Sequence, residues 1–203
     1  MLKIRIFYFC IILILSISTN AQTVSVLDID DSDFYIGDPN APVTIIEYAS
    51  MSCNHCADFH NNTLEEIKKE YVDTGKVMFV FRDFPFNYPA LAGSMMMRCV
   101  PSNVRYDYMN ALYKLQNKWV SRDMAKTKAE LYKIMQSGGM QQEEFDSCLA
   151  NVDLENDLLD GVMRAQGEFN IRSTPSFIIN GNLFSGNKNI KEFRQIIDKI
   201  LSE

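Results

Sequence analysis

Two cysteines separated by two residues form the part of the sequence best suited to chemistry. Cys53 and Cys56 enclose Asn54 and His55 in a C-x-x-C motif. A cysteine thiolate is both a nucleophile and a metal ligand, so the pair suits disulfide exchange, metal binding or a structural bridge. The surroundings of the motif have to decide among these three roles.

The metal alternative is the least favoured of the three. A structural metal site needs about four ligands, and Cys53, Cys56 and His60 supply three at best. The sequence therefore predicts no metal site, and a purely structural bridge stays open as the second alternative. His60, one helical turn after Cys56, is interpreted as a packed or surface residue of a helix and not as a catalytic one.

The start of the chain has the pattern of a secretory signal peptide. Lys3 and Arg5 precede an apolar run over residues 6–15, and small residues lead to Ala21. We expect cleavage after Ala21. An uncleaved anchor is the alternative, but the apolar run is well short of the ~20 residues needed to span a bilayer. Loss of the two positive charges takes the net charge from −6 to −8, which disfavours nucleic acid and anionic membranes as partners.

Cysteine number supports an oxidising setting. Of the five cysteines, Cys10 lies in the predicted signal, which leaves an even number for the exported chain. An even number in an exported protein indicates that all are paired. Cys99 and Cys148 are therefore predicted to form a structural disulfide, which closes a loop of about 50 residues and stabilises by about 4 kcal/mol. Two buried free thiols are the alternative.

The motif is placed between a predicted strand and a predicted helix. Residues 43–49 form a short, β-branched apolar run typical of a buried strand. Apolar residues at three- to four-residue spacing then predict a helix from about Cys53 to Tyr71. A second strand over residues 77–81 completes a unit whose two strands run parallel.

The rest of the chain predicts a long helical segment followed by a strand hairpin. Residues 89–169 read as about five helices, and strands on either side of Asn180-Gly181 precede a final helix from Asn189 to about Leu201. This order predicts an α/β protein with a thioredoxin fold and an inserted all-helical domain. The predicted division is a signal peptide over 1–21, a thioredoxin-like domain over 22–88 and 170–203, and a helical insert over 89–169.

The helix start determines the predicted chemistry. Free backbone N–H groups and the partial positive charge at a helix N-terminus stabilise a thiolate at Cys53 and lower its pKa. His55, in the same turn, adds hydrogen bonding or positive charge, and Cys56 lies within reach for a disulfide. A stabilised thiolate favours the reduced form, so the Cys53–Cys56 disulfide is expected to be oxidising and to pass to a substrate.

These motifs together resemble those of the DsbA-like family of periplasmic thiol:disulfide interchange proteins. The resemblance rests on residues 37–45, the Cys53–Cys56 motif, residues 81–85 and residues 174–177. It covers nearly all of the chain after the signal. Asn54 departs from the family, in which many members have proline at that position.

The resemblance implies roles for three further residues. Pro175 matches the proline that follows a cis peptide opposite the cysteine motif, and Thr174 before it would pair with an extended substrate segment and tune substrate choice. Glu47 matches a buried acid that relays a proton from Cys56. A solvated strand residue is the alternative for Glu47. No cofactor is implied beyond the redox-active disulfide.

The predicted function is donation of the Cys53–Cys56 disulfide to reduced or unfolded exported proteins in the periplasm. By resemblance, a DsbB-type membrane quinone oxidoreductase reoxidises the pair, and we expect a monomer. Two alternatives stay open. Thr174 resembles the residue of disulfide isomerases, so an isomerase or reductase is one of them. The other is a non-catalytic chaperone-like binding protein, which would retain the fold without needing the cysteine pair.

Overall fold

A mixed β-sheet with helices on both faces carries the cysteine motif. The computed structural model describes residues 28–29 and 33–203, and the predicted signal peptide over 1–21 lies outside the described residues. The strands are β1 Phe34–Ile36, β2 Val43–Ala49, β3 Val77–Asp83, β4 Ser176–Ile179 and β5 Asn182–Ser185. The α-helices are α1 Asn54–Asn62, α2 Leu64–Ile67, α3 Tyr88–Cys99, α4 Ser102–Lys114, α5 Gln116–Trp119, α6 Met124–Ser137, α7 Gln142–Leu149, α8 Val152–Phe169 and α9 Ile190–Leu201.

Strand β2 lies at the centre of the sheet, whose order is β1-β3-β2-β4-β5. It pairs parallel with β3 and antiparallel with β4, so that Glu47 is opposite Phe81 on one side and Phe177 on the other. Strand β1, which pairs antiparallel with β3, was not predicted. Its three residues are too few to show a strand periodicity.

The two faces of the sheet bury separate apolar clusters. Alternate residues of a strand point to opposite faces. On β2, Ile45 belongs to a large cluster that also contains residues of α1, α9 and the inserted helices. Ile46 and Tyr48 belong to a smaller cluster on the other face. By this alternation Glu47 points to the same face as Ile45, where α1 and Cys56 pack.

The predicted helix over residues 53–71 is interrupted in the structure. One α-helix ends at Asn62 and a second begins at Leu64, and residues 68–72 form a π-helical turn. The predicted apolar face is nevertheless buried as expected. Its members are Cys56, Phe59, Leu64, Ile67 and Tyr71.

Six α-helices lie between β3 and β4 in the described part of the chain, where about five were predicted. The additional helix is α5, separated from α4 by Leu115 alone, with no turn-forming residue to mark the break. The strand order and the helices inserted between β3 and β4 agree with the predicted fold class, a thioredoxin fold with an inserted helical domain. The exact domain boundaries stay a prediction. Within the described residues, the search for helices long and apolar enough to traverse a bilayer gives none.

Candidate active site

Cys53 occupies the N-cap of α1, at the point where the chain leaves β2 and turns into the helix. Its backbone is extended, and no side chain caps the helix end. Backbone N–H groups of the first turn are therefore available to its sulfur. Cys53 is half-buried, whereas Cys56 is fully buried one turn further on. Both thiols are free in this structure, which is the reduced state of the pair.

The pKa values of the two thiols in the motif are shifted in opposite directions. Hydrogen bonding from the Cys56 thiol, opposed by partial burial and helped by Thr174 and the backbone N–H groups of Cys56 and His55, lowers the pKa of Cys53 to about 5. Burial raises the pKa of the Cys56 thiol, and the neighbouring Cys53 and the Glu47 carboxylate raise it further. At neutral pH, Cys53 is therefore the thiolate and Cys56 its protonated partner.

The chain segment before β4 faces Cys53. The Thr174–Pro175 peptide bond is cis, and in the thiol form Cys53 Sγ donates to the carbonyl oxygen of Thr174 at 3.4 Å. The segment that the resemblance assigned to substrate binding therefore lies directly against the sulfur assigned as nucleophile. His55 is exposed beside this sulfur, and its backbone N–H contributes to the low pKa of Cys53.

Glu47 is fully buried beneath the motif and has a partner that the sequence did not indicate. Its Oε2 lies 2.9 Å from Nε2 of His60, which is also buried. His60 stacks on Tyr113 with ring centroids 4.0 Å apart. The solvated alternative for Glu47 is therefore wrong. The interpretation of His60 as a packed residue matches its burial, and the structure adds its bond to Glu47.

Gln116 holds the loop that carries Cys53, a role that no sequence pattern indicated. Its buried side chain donates from Nε2 to the carbonyl oxygens of Met51 and Cys53, both at 3.0 Å. Gln116 lies in α5, which is part of the inserted helices. The insert therefore binds the active-site loop through two hydrogen bonds that satisfy backbone carbonyls at the strand end.

Cys99 and Cys148 are joined by a disulfide between the end of α3 and α7, with Cα atoms 6.2 Å apart. This bridge lies among the inserted helices and leaves Cys53 and Cys56 as the free pair. Across residues 28–29 and 33–203, no group of three or more His, Cys, Asp or Glu side chains is arranged to hold a metal ion. His60, the third candidate ligand, is bonded to Glu47 instead.

A family model and a solved structure both match this chain over most of its length. The family model described as Thioredoxin matches residues 30–199. The crystal structure of alpha-DsbA1 from Wolbachia pipientis superposes with a TM-score of 0.81 at 29% identity, over 87% of this chain and 94% of that one. The predicted resemblance to DsbA-like proteins is confirmed by these two matches.

Curated relatives have names that refer to disulfide chemistry. A Rickettsia felis protein, provisionally named a protein-disulfide oxidoreductase, is 31% identical over 176 residues, which are 86% of this chain and 62% of that protein. Disulfide bond formation protein D of Bacillus subtilis is 25% identical over 179 residues, covering 82% of this chain and 76% of that protein. The chain thus spans somewhat less than two thirds of the length of the Rickettsia relative.

Proposed function

Because the chain belongs to the thioredoxin family, we propose that it is a protein thiol–disulfide oxidoreductase of the DsbA type. It donates its Cys53–Cys56 disulfide to reduced exported proteins during oxidative folding. The observation that carries this proposal is the pKa of about 5 for Cys53 beside a buried, protonated Cys56. A thiolate this stable favours the reduced form of the pair, so the disulfide is a strong donor.

Donation proceeds by two exchange steps at Cys53. A substrate thiolate attacks Sγ of Cys53 in the disulfide, because Cys53 is half-exposed and Cys56 is buried. The bond between the cysteines breaks, and Cys56 leaves with the electron pair and takes up a proton. A second substrate thiolate then attacks the substrate sulfur of the mixed disulfide. Cys53 leaves as the stabilised thiolate, the substrate is oxidised and the protein is reduced.

Thr174 and Pro175 form the substrate-binding segment in this proposal. The carbonyl of Thr174 lies 3.4 Å from the Cys53 sulfur, so an extended peptide that bonds to this backbone brings its cysteine to the reacting atom. The Thr174 side chain, next to the same sulfur, tunes which substrates are accepted. His55 completes the exposed surface beside the nucleophile.

Reoxidation returns the pair to the disulfide. The Cys53 thiolate attacks a disulfide of a partner, for which the resemblance implies a DsbB-type membrane quinone oxidoreductase. Cys56 then loses its proton to Glu47 and displaces the partner's sulfur from Cys53. No cofactor is required beyond the cysteine pair. We place the protein in the periplasm as a monomer, exported by a signal peptide cleaved after Ala21.

Refolding assays test this function directly. Reduced and scrambled disulfide-containing substrates are refolded with the wild-type protein and with the Cys53→Ala and Cys56→Ala variants. We expect the wild type to accelerate oxidation of the reduced substrate, with Cys53→Ala inactive because it lacks the nucleophile. Acceleration of the scrambled substrate alone would favour the isomerase alternative. Equal behaviour of all three proteins would leave only a chaperone-like role.

A further inference from the structure

We propose that His60 is a positioning residue for reoxidation: it holds Oε2 of Glu47 and thereby leaves Oε1 as the atom that accepts the Cys56 proton. The inference rests on the proposed function, because it concerns the step in which Cys56 closes the disulfide. It assigns to His60 a role beyond packing, and it identifies which carboxylate oxygen is reactive.

The hydrogen bonds of the buried carboxylate support this division of labour. The Oε2 atom of Glu47 is 2.9 Å from Nε2 of His60, and both side chains are almost fully buried. The Oε1 atom is buried with no hydrogen-bond partner among the described residues. A buried acceptor without a partner is costly, and a catalytic use is one reason for which a fold keeps it. Proton acceptance from a neighbouring thiol is such a use.

Cys56 is the neighbour that has a proton to give. It lies on the face of the sheet toward which Glu47 points. Burial raises the pKa of its thiol most, followed by Cys53 and then by the negative charge of Glu47. This thiol has to lose its proton before its sulfur can attack. Because Cys56 is completely buried, solvent base does not reach it easily, and an internal acceptor is needed.

Aromatic packing fixes the ring of His60 in the orientation that this role requires. The ring stacks on Tyr113 at 4.0 Å, lies edge-on to Phe59 at 5.6 Å and is 5.9 Å from Phe81. Three rings from three elements leave the imidazole little rotational freedom. With its proton on Nε2, the ring donates to Oε2, so the carboxylate cannot rotate to exchange its two oxygens.

The titratable and charged groups around this pair come from several elements. Besides Cys56 on α1, they are contributed by β3, α3 and α4 at the pocket that His60 lines. They are Arg82, Asp83, Arg98, Arg105 and Tyr113. Arg98 donates to Asp83, Arg82 to Asp33, and Arg105 to the carbonyl oxygen of Val100. Glu47 is bonded to His60.

In this step the proton stays within the site, and the electron pair leaves with the partner sulfur. In a mixed disulfide of Cys53 with a partner sulfur, the Cys56 proton moves to Oε1 of Glu47. The Cys56 sulfur bonds to the Cys53 sulfur, and the partner sulfur leaves as a thiolate with the electron pair. The cysteines are oxidised and the partner is reduced. When the disulfide is next donated, Glu47 returns the proton to the departing Cys56.

A two-phase reaction with the aromatic disulfide dithiobis(nitrobenzoate) separates the steps. Attack by Cys53 releases one coloured nitrothiobenzoate, and closure by Cys56 releases the second, so stopped-flow absorbance gives both rates. We expect His60→Leu and Glu47→Gln each to slow the second phase by about 100-fold, the size of a general-base contribution. The double variant should be no slower than either single one, because the two residues act as a unit.

Conservative variants separate positioning from packing. In His60→Gln the amide nitrogen replaces Nε2 as donor and should restore most of the second-phase rate, whereas His60→Asn is too short to reach Glu47 and should not. In the slow variants the second-phase rate should rise with pH, because hydroxide replaces the lost base. Asn61→Ala, an exposed neighbour on α1, should leave both phases unchanged.

The outcomes distinguish this inference from the proposed function. If the wild-type protein shows no first phase, Cys53 is not the nucleophile, and the proposed function is contradicted as well. A second phase that depends on Glu47 and is unaffected in folded His60→Leu and His60→Asn would overturn the role of His60 alone. If His60→Leu does not fold, His60→Asn compared with His60→Gln decides the question.

Discussion

The division of labour between Cys53 and Cys56 arises from a hydrogen bond within the pair and from their unequal burial. Cys56 donates its thiol hydrogen toward the Cys53 sulfur, which is the largest contribution to the low pKa of Cys53. Burial keeps the Cys56 thiol protonated and therefore able to donate. The same two effects make Cys53 the atom that a substrate reaches and Cys56 the one that follows.

Removal of the donor thiol tests this account. In Cys56→Ala the pKa of Cys53 should rise above the wild-type value of about 5, because the largest stabilising hydrogen bond is lost. It should stay below the ordinary value, since the backbone N–H groups of His55 and the residue at position 56 remain. Ultraviolet absorbance of the thiolate, titrated against pH, measures both proteins. Identical midpoints would show that the helix end alone controls the acidity.

For single residues, the sequence predicts where a residue lies in a strand or helix better than it predicts the residue's hydrogen-bond partners. The strand-to-helix junction was sufficient to predict a stabilised thiolate at Cys53. The bond between Glu47 and His60 joins residues 13 positions apart on different elements, and no spacing rule specifies which buried acid meets which base. Gln116 is further still, at 63 residues from Cys53. Such contacts depend on how the strands and helices pack against one another, which periodicity does not encode.

Among the elements, α5 connects the inserted helices to the reactive loop. Replacement of Gln116 by leucine should destabilise the protein by about 2 kcal/mol, because the carbonyl of Met51 loses its side-chain donor and that of Cys53 keeps only the N–H of Ala57. Urea unfolding followed by circular dichroism measures the change. Lys118→Ala, an exposed position on the same helix, is the matched control and should change stability by less than about 0.5 kcal/mol. Equal effects of the two variants would contradict the assignment.

Element types were more predictable than their boundaries. Strand β2 and the final helix α9 were predicted because a buried strand and an amphipathic helix each have a distinct periodicity, and Asn189 caps α9 by accepting from the Glu192 N–H. The break of the first helix at Thr63 carries no glycine or proline. Propensity alone therefore predicts one helix where the structure has two α-helices and a π-helical turn.

For the molecule as a whole, the disulfide between Cys99 and Cys148 constrains the inserted helices. It spans 49 residues of sequence, and loop closure of that length stabilises by about 4 kcal/mol in the chain-entropy model. Cys99→Ala/Cys148→Ala should lower the free energy of unfolding by about this amount. Cys99→Ala alone opens the same loop and should lose nearly as much. A loss under about 1 kcal/mol in both would show that the denatured chain is already constrained without the bridge.

Stability of the reduced protein should depend on pH through Cys53. Its pKa in the folded state is about 5, below the ordinary value of 9.0, so between these values the unfolded chain binds more protons and stability rises with pH. The contribution is fully present above about pH 9 and is lost as the pH falls through about 5. Cys56, whose pKa is raised, stays protonated throughout this range.

Urea unfolding of wild type and Cys53→Ser in the same reducing buffer isolates the effect, because all other groups are shared. The gap in stability between the two proteins should widen in favour of wild type as the pH rises from 5 to 8, and a constant gap would mean that the Cys53 thiolate is not stabilised by the fold.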